Sequence, residues 1–225
     1  MSVLSLAVVI PTLNAAATLG ATLGALDGDV RRLVVADGGS DDGTPDLARS
    51  NGALVVECPP GRGAQLAAGA AAVEEDWILF LHADTRPGAG WRPAAEEFAA
   101  NPDHARCAGY FRLRFDTPHP AARRVERLAS LRARALGLPY GDQGLLIARA
   151  FYEALGGYRP LPLMEDVEFV RRVGPARLRE LPAEALTSAA RYERDGWWAR
   201  PLRNMACLSL YAMGVPPRMI RTLYG

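Results

Sequence analysis

Short apolar runs and Ala/Leu-rich periodic segments alternate along the first half of the chain. The runs at 6–10, 32–36, 53–57 and 77–81 have the length and apolar character of strands. Helices are predicted over 15–26 and 64–75. Another starts at Thr44-Pro45-Asp46, where Thr is the cap and Pro sits in the first turn. This order implies parallel strands joined by right-handed crossovers. Trp77-Ile78-Leu79-Phe80-Leu81 is apolar at every position, as in a strand buried on both faces, and it stops abruptly at His82-Ala83-Asp84. Sheets of this kind bind ligands beyond the carboxyl ends of their strands.

Beyond residue 100 the pattern changes. Segment 108–115 alternates apolar residues with Arg112 and Arg114, as a half-exposed strand does. An Arg-rich amphipathic helix is predicted over 120–136 and a buried strand over 144–148. A helix over 151–155 stops at Gly156-Gly157, and two more are predicted over 165–172 and 201–213. No repeat or low-complexity linker interrupts the chain, so a nucleotide-type first half continues into a mixed second half.

The 225 residues are 49% hydrophobic and 23% charged, enough for a sizeable core. A net charge of +1 gives no general electrostatic reason to bind nucleic acid. All 26 basic side chains are Arg, a residue suited to phosphate recognition. Cys58, Cys107 and Cys207 form no CxxC pair and read as the reduced thiols of a cytoplasmic protein. The N-terminus lacks the basic lead of a signal peptide. No stretch approaches the roughly 20 apolar residues of a membrane span, so the expectation is a soluble or membrane-peripheral chain. The stretch from Trp197 to Tyr211 mixes aromatics, aliphatics and Arg. It is expected to pack on its own domain, with membrane contact or a homodimer through C-terminal helices as the alternatives.

Four segments can carry chemistry. Asp37-Gly38-Gly39-Ser40-Asp41-Asp42-Gly43-Thr44 follows a strand and places carboxylates and open amides at the sheet rim, although such residues also build ordinary turns. Gly61-Arg62-Gly63 precedes a helix start, where amides and an Arg favour anions; an exposed loop Arg is the plainer account. On an extended backbone His82 and Asp84 point the same way and can face one ion, Mg²⁺ or Mn²⁺; alternatively Asp84 caps a local turn. Glu165-Asp166-Val167-Glu168 opens a helix, where acids complement the dipole and where an ionised Asp166 can serve as a general base. Gly141-Asp142-Gln143-Gly144 and Arg191-Tyr192 read equally well as loop structure.

Taken in order, Val9-Ile10-Pro11-Thr12-Leu13-Asn14, the Asp37 to Thr44 turn, His82-Ala83-Asp84 and Glu165-Asp166 resemble the motifs of family 2 glycosyltransferases. Phe80 to Thr85, Tyr140-Gly141-Asp142-Gln143-Gly144 and Thr187 to Trp198 look like the subgroup known as selenodomain-associated transferase 2, or as arsenosugar-biosynthesis glycosyltransferases. The resemblance implies an α/β GT-A fold, Rossmann-like, with a mostly parallel central sheet flanked by helices. It implies a single domain, 1–225, with a nucleotide-binding half at 1–100, an acceptor and catalytic half at 101–190 and a C-terminal helical extension at 191–225. The implied reaction is inverting, metal-dependent transfer of a sugar from a nucleotide-diphosphate donor, UDP-linked, to an acceptor hydroxyl.

Carried over residue by residue, Pro11, Thr12 and Asn14 would line the nucleotide pocket, Asp37 would meet the uracil or ribose, and Arg62 the nucleotide. Asp84, with His82 beside it, would hold the Mn²⁺ or Mg²⁺ that bridges the diphosphate. Glu165-Asp166 would be the catalytic pair, with Asp166 the base, and Arg191 would steady the departing diphosphate. The chain departs from the pattern at Ala15, where an acid often follows the Asn, at His82, which replaces the first Asp of DxD, and at Ala67. A nucleotidyltransferase usually has a Gly-rich loop with a basic residue after the first strand, and 11–15 offers none; a dehydrogenase lacks its GxGxxG there. A nucleotide-sugar-binding protein without turnover is the alternative from another class.

Overall fold

The computed structural model describes residues 4–224 except Asp27 and Asp29; Gly225, the end of the expected extension, lies outside the described residues. Its strands are β1 (Leu6–Thr12), β2 (Arg32–Asp37), β3 (Leu54–Glu57), β4 (Trp77–Phe80), β5 (Thr85–Pro87), β6 (Ala108–Phe115), β7 (Leu145–Ala148) and β8 (Leu178–Thr187). They form one sheet in the order β3-β2-β1-β4-β7-β6-β8-β5. The first four pair in parallel, as their apolar runs predict. From β4 onward the sheet turns antiparallel through β7 and β6, and β8 then runs parallel to β6.

The helices are α1 (Ala16–Gly24), α2 (Thr44–Ser50), α3 (Arg62–Ala71), α4 (Trp91–Ala100), α5 (Pro120–Leu136), α6 (Arg149–Ala154), α7 (Glu165–Val173), α8 (Ala190–Asp195), α9 (Ala199–Ala212) and α10 (Pro217–Tyr224). Alternation along β1 feeds a core on each face of the sheet. Ala7 and Val9 join Leu66 of α3 and Val167 and Val170 of α7, whereas Leu6, Val8 and Ile10 meet Leu19 and Leu23 of α1 and Trp91 and Phe98 of α4. α5 spans the predicted 120–136; His119 Nδ1 accepts from Ala121 N at its start, and Gly137 ends it in the left-handed region.

Strands β5 and β8 and helices α4 and α10 carry no clear signal in the sequence. β8 holds Pro182 in mid-strand, and its pairing with β6 slips between Tyr110↔Glu180 and Arg112↔Glu184. Such a bulge accommodates a residue without an N–H and interrupts the two-residue period. The C-terminal helices pack on their own domain, since Cys207 and Ile220 are fully buried in the α3–α7 core. No helix among the described residues is long and apolar enough to cross a membrane.

Candidate active site

The carboxyl ends of β1 and β2 are locked into one unit. Asp37 is buried and its carboxylate accepts four hydrogen bonds: from Thr12 Oγ1 (2.9 Å) and Ser40 Oγ (2.6 Å) on Oδ1, and from the Gly39 and Ser40 amides on Oδ2. Burial raises its pKa, but these donors outweigh burial and hold the carboxyl below its ordinary value. Its acceptors are thus committed to the Thr12 side chain and its own turn. The carboxylate thereby shapes that turn.

Asn14, at a φ of +51°, ties the first loop to the second: its N–H donates to Ser40 Oγ and its Oδ1 accepts from Asp41 N. Ala15 offers no cap to α1, and the next loop supplies one, with Thr44 Oγ1 accepting from Ala15 N and Asp42 Oδ2 from Ala16 N. Gln65 of α3 donates its amide to both the Thr12 and Ala36 carbonyls. Pro11 and Thr12 are buried at this edge.

Beside this edge lies a cavity lined by Arg62, His82, Asp84, Glu165, Asp166 and Arg191, six residues anticipated from separate stretches of sequence. Pro11, Thr12, Asn14 and Asp37 do not line it. Asp166 Oδ2 accepts from Gly141 N (3.0 Å) and Oδ1 from Val167 N (2.7 Å), so the carboxylate is fixed at the N-terminus of α7. Met164, just before α7, has a φ of +64°; with Asn14 it is one of the two non-glycine residues at positive φ among the described residues, and it lines the cavity.

Glu165 is 2% exposed, with Arg62 Nη1 3.3 Å from Oε1 but not in hydrogen-bond geometry. Burial pushes its carboxyl up to about 7; Arg62 opposes this and Asp166 adds to it. Arg191 Nη2 stands 3.7 Å from Asp84 Oδ2.

One expected geometry is not found. β4 ends at Phe80, and the Thr85 amide donates to the His82 carbonyl across a tight turn, so His82-Ala83-Asp84 is not extended. The chain turns there because it must leave β1 and reach β5, whose partner is β8. The His82 ring instead lies against Gly141, where a Cβ would overlap its Nε2. Burial, then the Arg62 charge, with Arg191 adding and Asp166 opposing, drive its pKa down to about 3, so the imidazole is neutral.

The donor set fits a divalent metal of one kind only. Among the described residues no group of three or more His, Cys, Asp or Glu converges as a ligand set. Asp84 offers carboxylate oxygens, and among the described residues its charged partner is Arg191 at long range. This suits an ion coordinated largely by a diphosphate and anchored by one carboxylate, not an all-protein cage. Asp142, Thr187, Ser188, Tyr192, Arg200 and Asn204 are among the other residues lining the cavity, and the sequence assigned none of them a ligand contact. The signals for Asp142, Thr187, Ser188 and Tyr192 were the stretches Tyr140 to Gly144 and Thr187 to Trp198, which carry the subgroup resemblance without assigning contacts; Arg200 and Asn204 come from α9, farther along the chain.

A carboxylate- and arginine-lined cleft beyond the carboxyl ends of parallel strands is the mark of a nucleotide-binding α/β class. The sequence profile of glycosyl transferase family 2 matches residues 7–147, and the chain belongs to that family. Its fold is shared with the crystal structure of glucosyl-3-phosphoglycerate synthase from Mycobacterium tuberculosis in complex with Mn²⁺, UDP and glucosyl-3-phosphoglycerate. The TM-score is 0.56 at 22% identity, over 82% of this chain and 70% of that one. S. aureus TarS superposes with a TM-score of 0.60 at 14% identity, over 82% of this chain and 35% of that one. Among curated proteins no sequence match was found. The architecture is therefore the GT-A fold, its sheet parallel in the first half and mixed in the second. The nucleotidyltransferase alternative finds no support in these matches.

Proposed function

We propose that the chain transfers a sugar from a nucleotide-diphosphate donor, UDP-linked, to an acceptor hydroxyl with inversion at the anomeric carbon. The observation that carries this reading is the Asp166 carboxylate, held by two backbone amides in the cavity that also holds Asp84, Arg62 and Arg191. UDP and Mn²⁺ are bound in the M. tuberculosis synthase, which supports the same donor class here.

A bound Mn²⁺ or Mg²⁺, anchored by Asp84, would supply Lewis-acid stabilisation of the diphosphate. Arg191 and Arg62 add preorganised positive charge for the leaving group. As the acceptor oxygen bonds to the anomeric carbon, the bond to the diphosphate oxygen breaks and Asp166 accepts the hydroxyl proton. Asp37 and Asn14 act on the donor through the loops they lock together, with Pro11 and Thr12 forming the floor behind. Neutral His82 buttresses Gly141 and so Asp166. Tyr140-Gly141-Asp142-Gln143-Gly144 supports placement in the selenodomain-associated subgroup, and three free cysteines support a cytoplasmic location.

Turnover of UDP-sugars with Mn²⁺ tests the assignment. Asp166→Asn is expected to lose roughly 10²–10⁴-fold in kcat with UDP affinity retained. Asp84→Asn is expected to lose both turnover and the Mn²⁺ dependence of UDP binding. Wild-type kinetics in both variants would sink the proposal.

A further inference from the structure

Asp142 is a carboxylate of the cavity that neither diphosphate binding nor proton acceptance uses. Its Oδ1 is buried with no hydrogen-bond donor, and so is Oε1 of Glu165 in the same cavity. Buried polar atoms normally find partners, and orphaned ones call for an explanation.

A structural role does not supply it. The short turn Gly141–Gln143 is anchored at every residue without the Asp142 carboxylate. Gly141 N donates to Asp166, Thr187 Oγ1 donates to the Asp142 carbonyl (3.2 Å), and Gln143 Nε2 donates to the Phe111 carbonyl (3.1 Å). Arg132 Nη2 holds the Gln143 Oε1 from the other side. The backbone thus presents a rigid acceptor whose Oδ1 has no hydrogen-bond donor among the described residues, with the Arg132 charge acting on the carboxyl without bonding that atom.

The chemistry of the missing partner is restricted. An ionised carboxylate repels phosphate and can only accept hydrogen bonds. A cation held by protein groups alone is disfavoured, because no group of three or more His, Cys, Asp or Glu converges among the described residues. Hydroxyl groups remain. Asp142 lines the same cavity as Asp84 and Asp166, and its neighbour Gly141 donates to Asp166 Oδ2, so the carboxyl stands beside both the diphosphate end and the base. Burial raises its pKa to about 6, with the Arg132 charge opposing and Asp166 and Asp84 adding. The moiety that lies between those two ends during transfer is the sugar ring.

We propose that Asp142 accepts hydrogen bonds from hydroxyls of the transferred sugar, making the Gly141–Gln143 turn the donor-sugar specificity element. This rests on the glycosyl-transfer reading above.

Calorimetric titration with Mn²⁺ present, using UDP, UDP-glucose, UDP-galactose and UDP-N-acetylglucosamine, separates the two. In Asp142→Asn the preferred UDP-sugar is expected to lose affinity roughly tenfold or more, the scale of a charge-assisted hydrogen bond, with UDP unchanged within about twofold. Thermal unfolding checks that the variant is folded, and Asp142→Ser replaces it if not. Equal losses for UDP and UDP-sugar would assign Asp142 to the metal or diphosphate and overturn the inference. No loss for any ligand would mean that water alone fills the site, which also overturns it. Failure of the wild type to bind UDP would remove the donor reading, and this inference with it.

Discussion

At the scale of single residues, the cavity concentrates groups whose ionisation is opposed by their surroundings. The Glu165 carboxyl is raised to about 7 and that of Asp142 to about 6, so the folded chain retains protons that the unfolded chain has released. Their burial therefore favours the fold below the ordinary carboxylate range, and stability is lost as pH rises through 6–7. His82 has the opposite sign: its folded pKa of about 3 means that stability is lost as pH falls below 6.5. Glu165→Gln should thus be more stable than wild type at pH 8, by up to about 3 kcal/mol, with the difference vanishing near pH 4. Denaturant unfolding at the two pH values measures it; an equal effect at both would refute the assignment. Residue types were legible from sequence at Asp84, Arg62 and Asp166 because each stands at an element boundary. Asp142 was not, because its significance is the lack of a partner, which only folded coordinates reveal.

At the scale of elements, the segment leading into α7 is positioned by contact between two helix starts. A Cβ on Gly63, in the first turn of α3, would overlap the Arg159 carbonyl and come within 3.2 Å of the Glu165 Cβ. Gly63→Ala is therefore expected to displace the segment leading into α7. It should cost about 1–3 kcal/mol and lower kcat at least roughly tenfold, read by thermal unfolding and turnover. Gly20→Ala in α1 is the control. Only Leu47 Cδ2 lies near, at 3.9 Å, and the substitution should stabilise by about 0.5–1 kcal/mol. The parallel strands were readable as unbroken apolar runs, and α5 because its helical periodicity is uninterrupted. β8 was not, since its Pro182 bulge breaks the alternation by which a strand is recognised. The extended geometry expected of His82-Ala83-Asp84 failed for a related reason: β4 pairs with β1 only as far as Phe80, and tertiary routing takes over.

At the scale of the whole molecule, the C-terminal helices belong to the domain. Ile220 of α10 is fully buried with Cys207 of α9 in the core beneath α3 and α7, and Arg200 and Asn204 line the cavity. Ile220→Ala is expected to cost about 2–4 kcal/mol and to lower the thermal midpoint by roughly 5–10 °C. An unchanged midpoint would mean that α10 is a dispensable appendage. Helix α1 takes its N-terminal caps from Asp42 and Thr44, across the next crossover. The first two β-α units are consequently one heritable block. A recombinant that carried β1 and α1 from this chain into a relative lacking those two side chains would inherit a helix with its end undone. Breakpoints in gene shuffling should therefore survive after α2 and fail between α1 and β2.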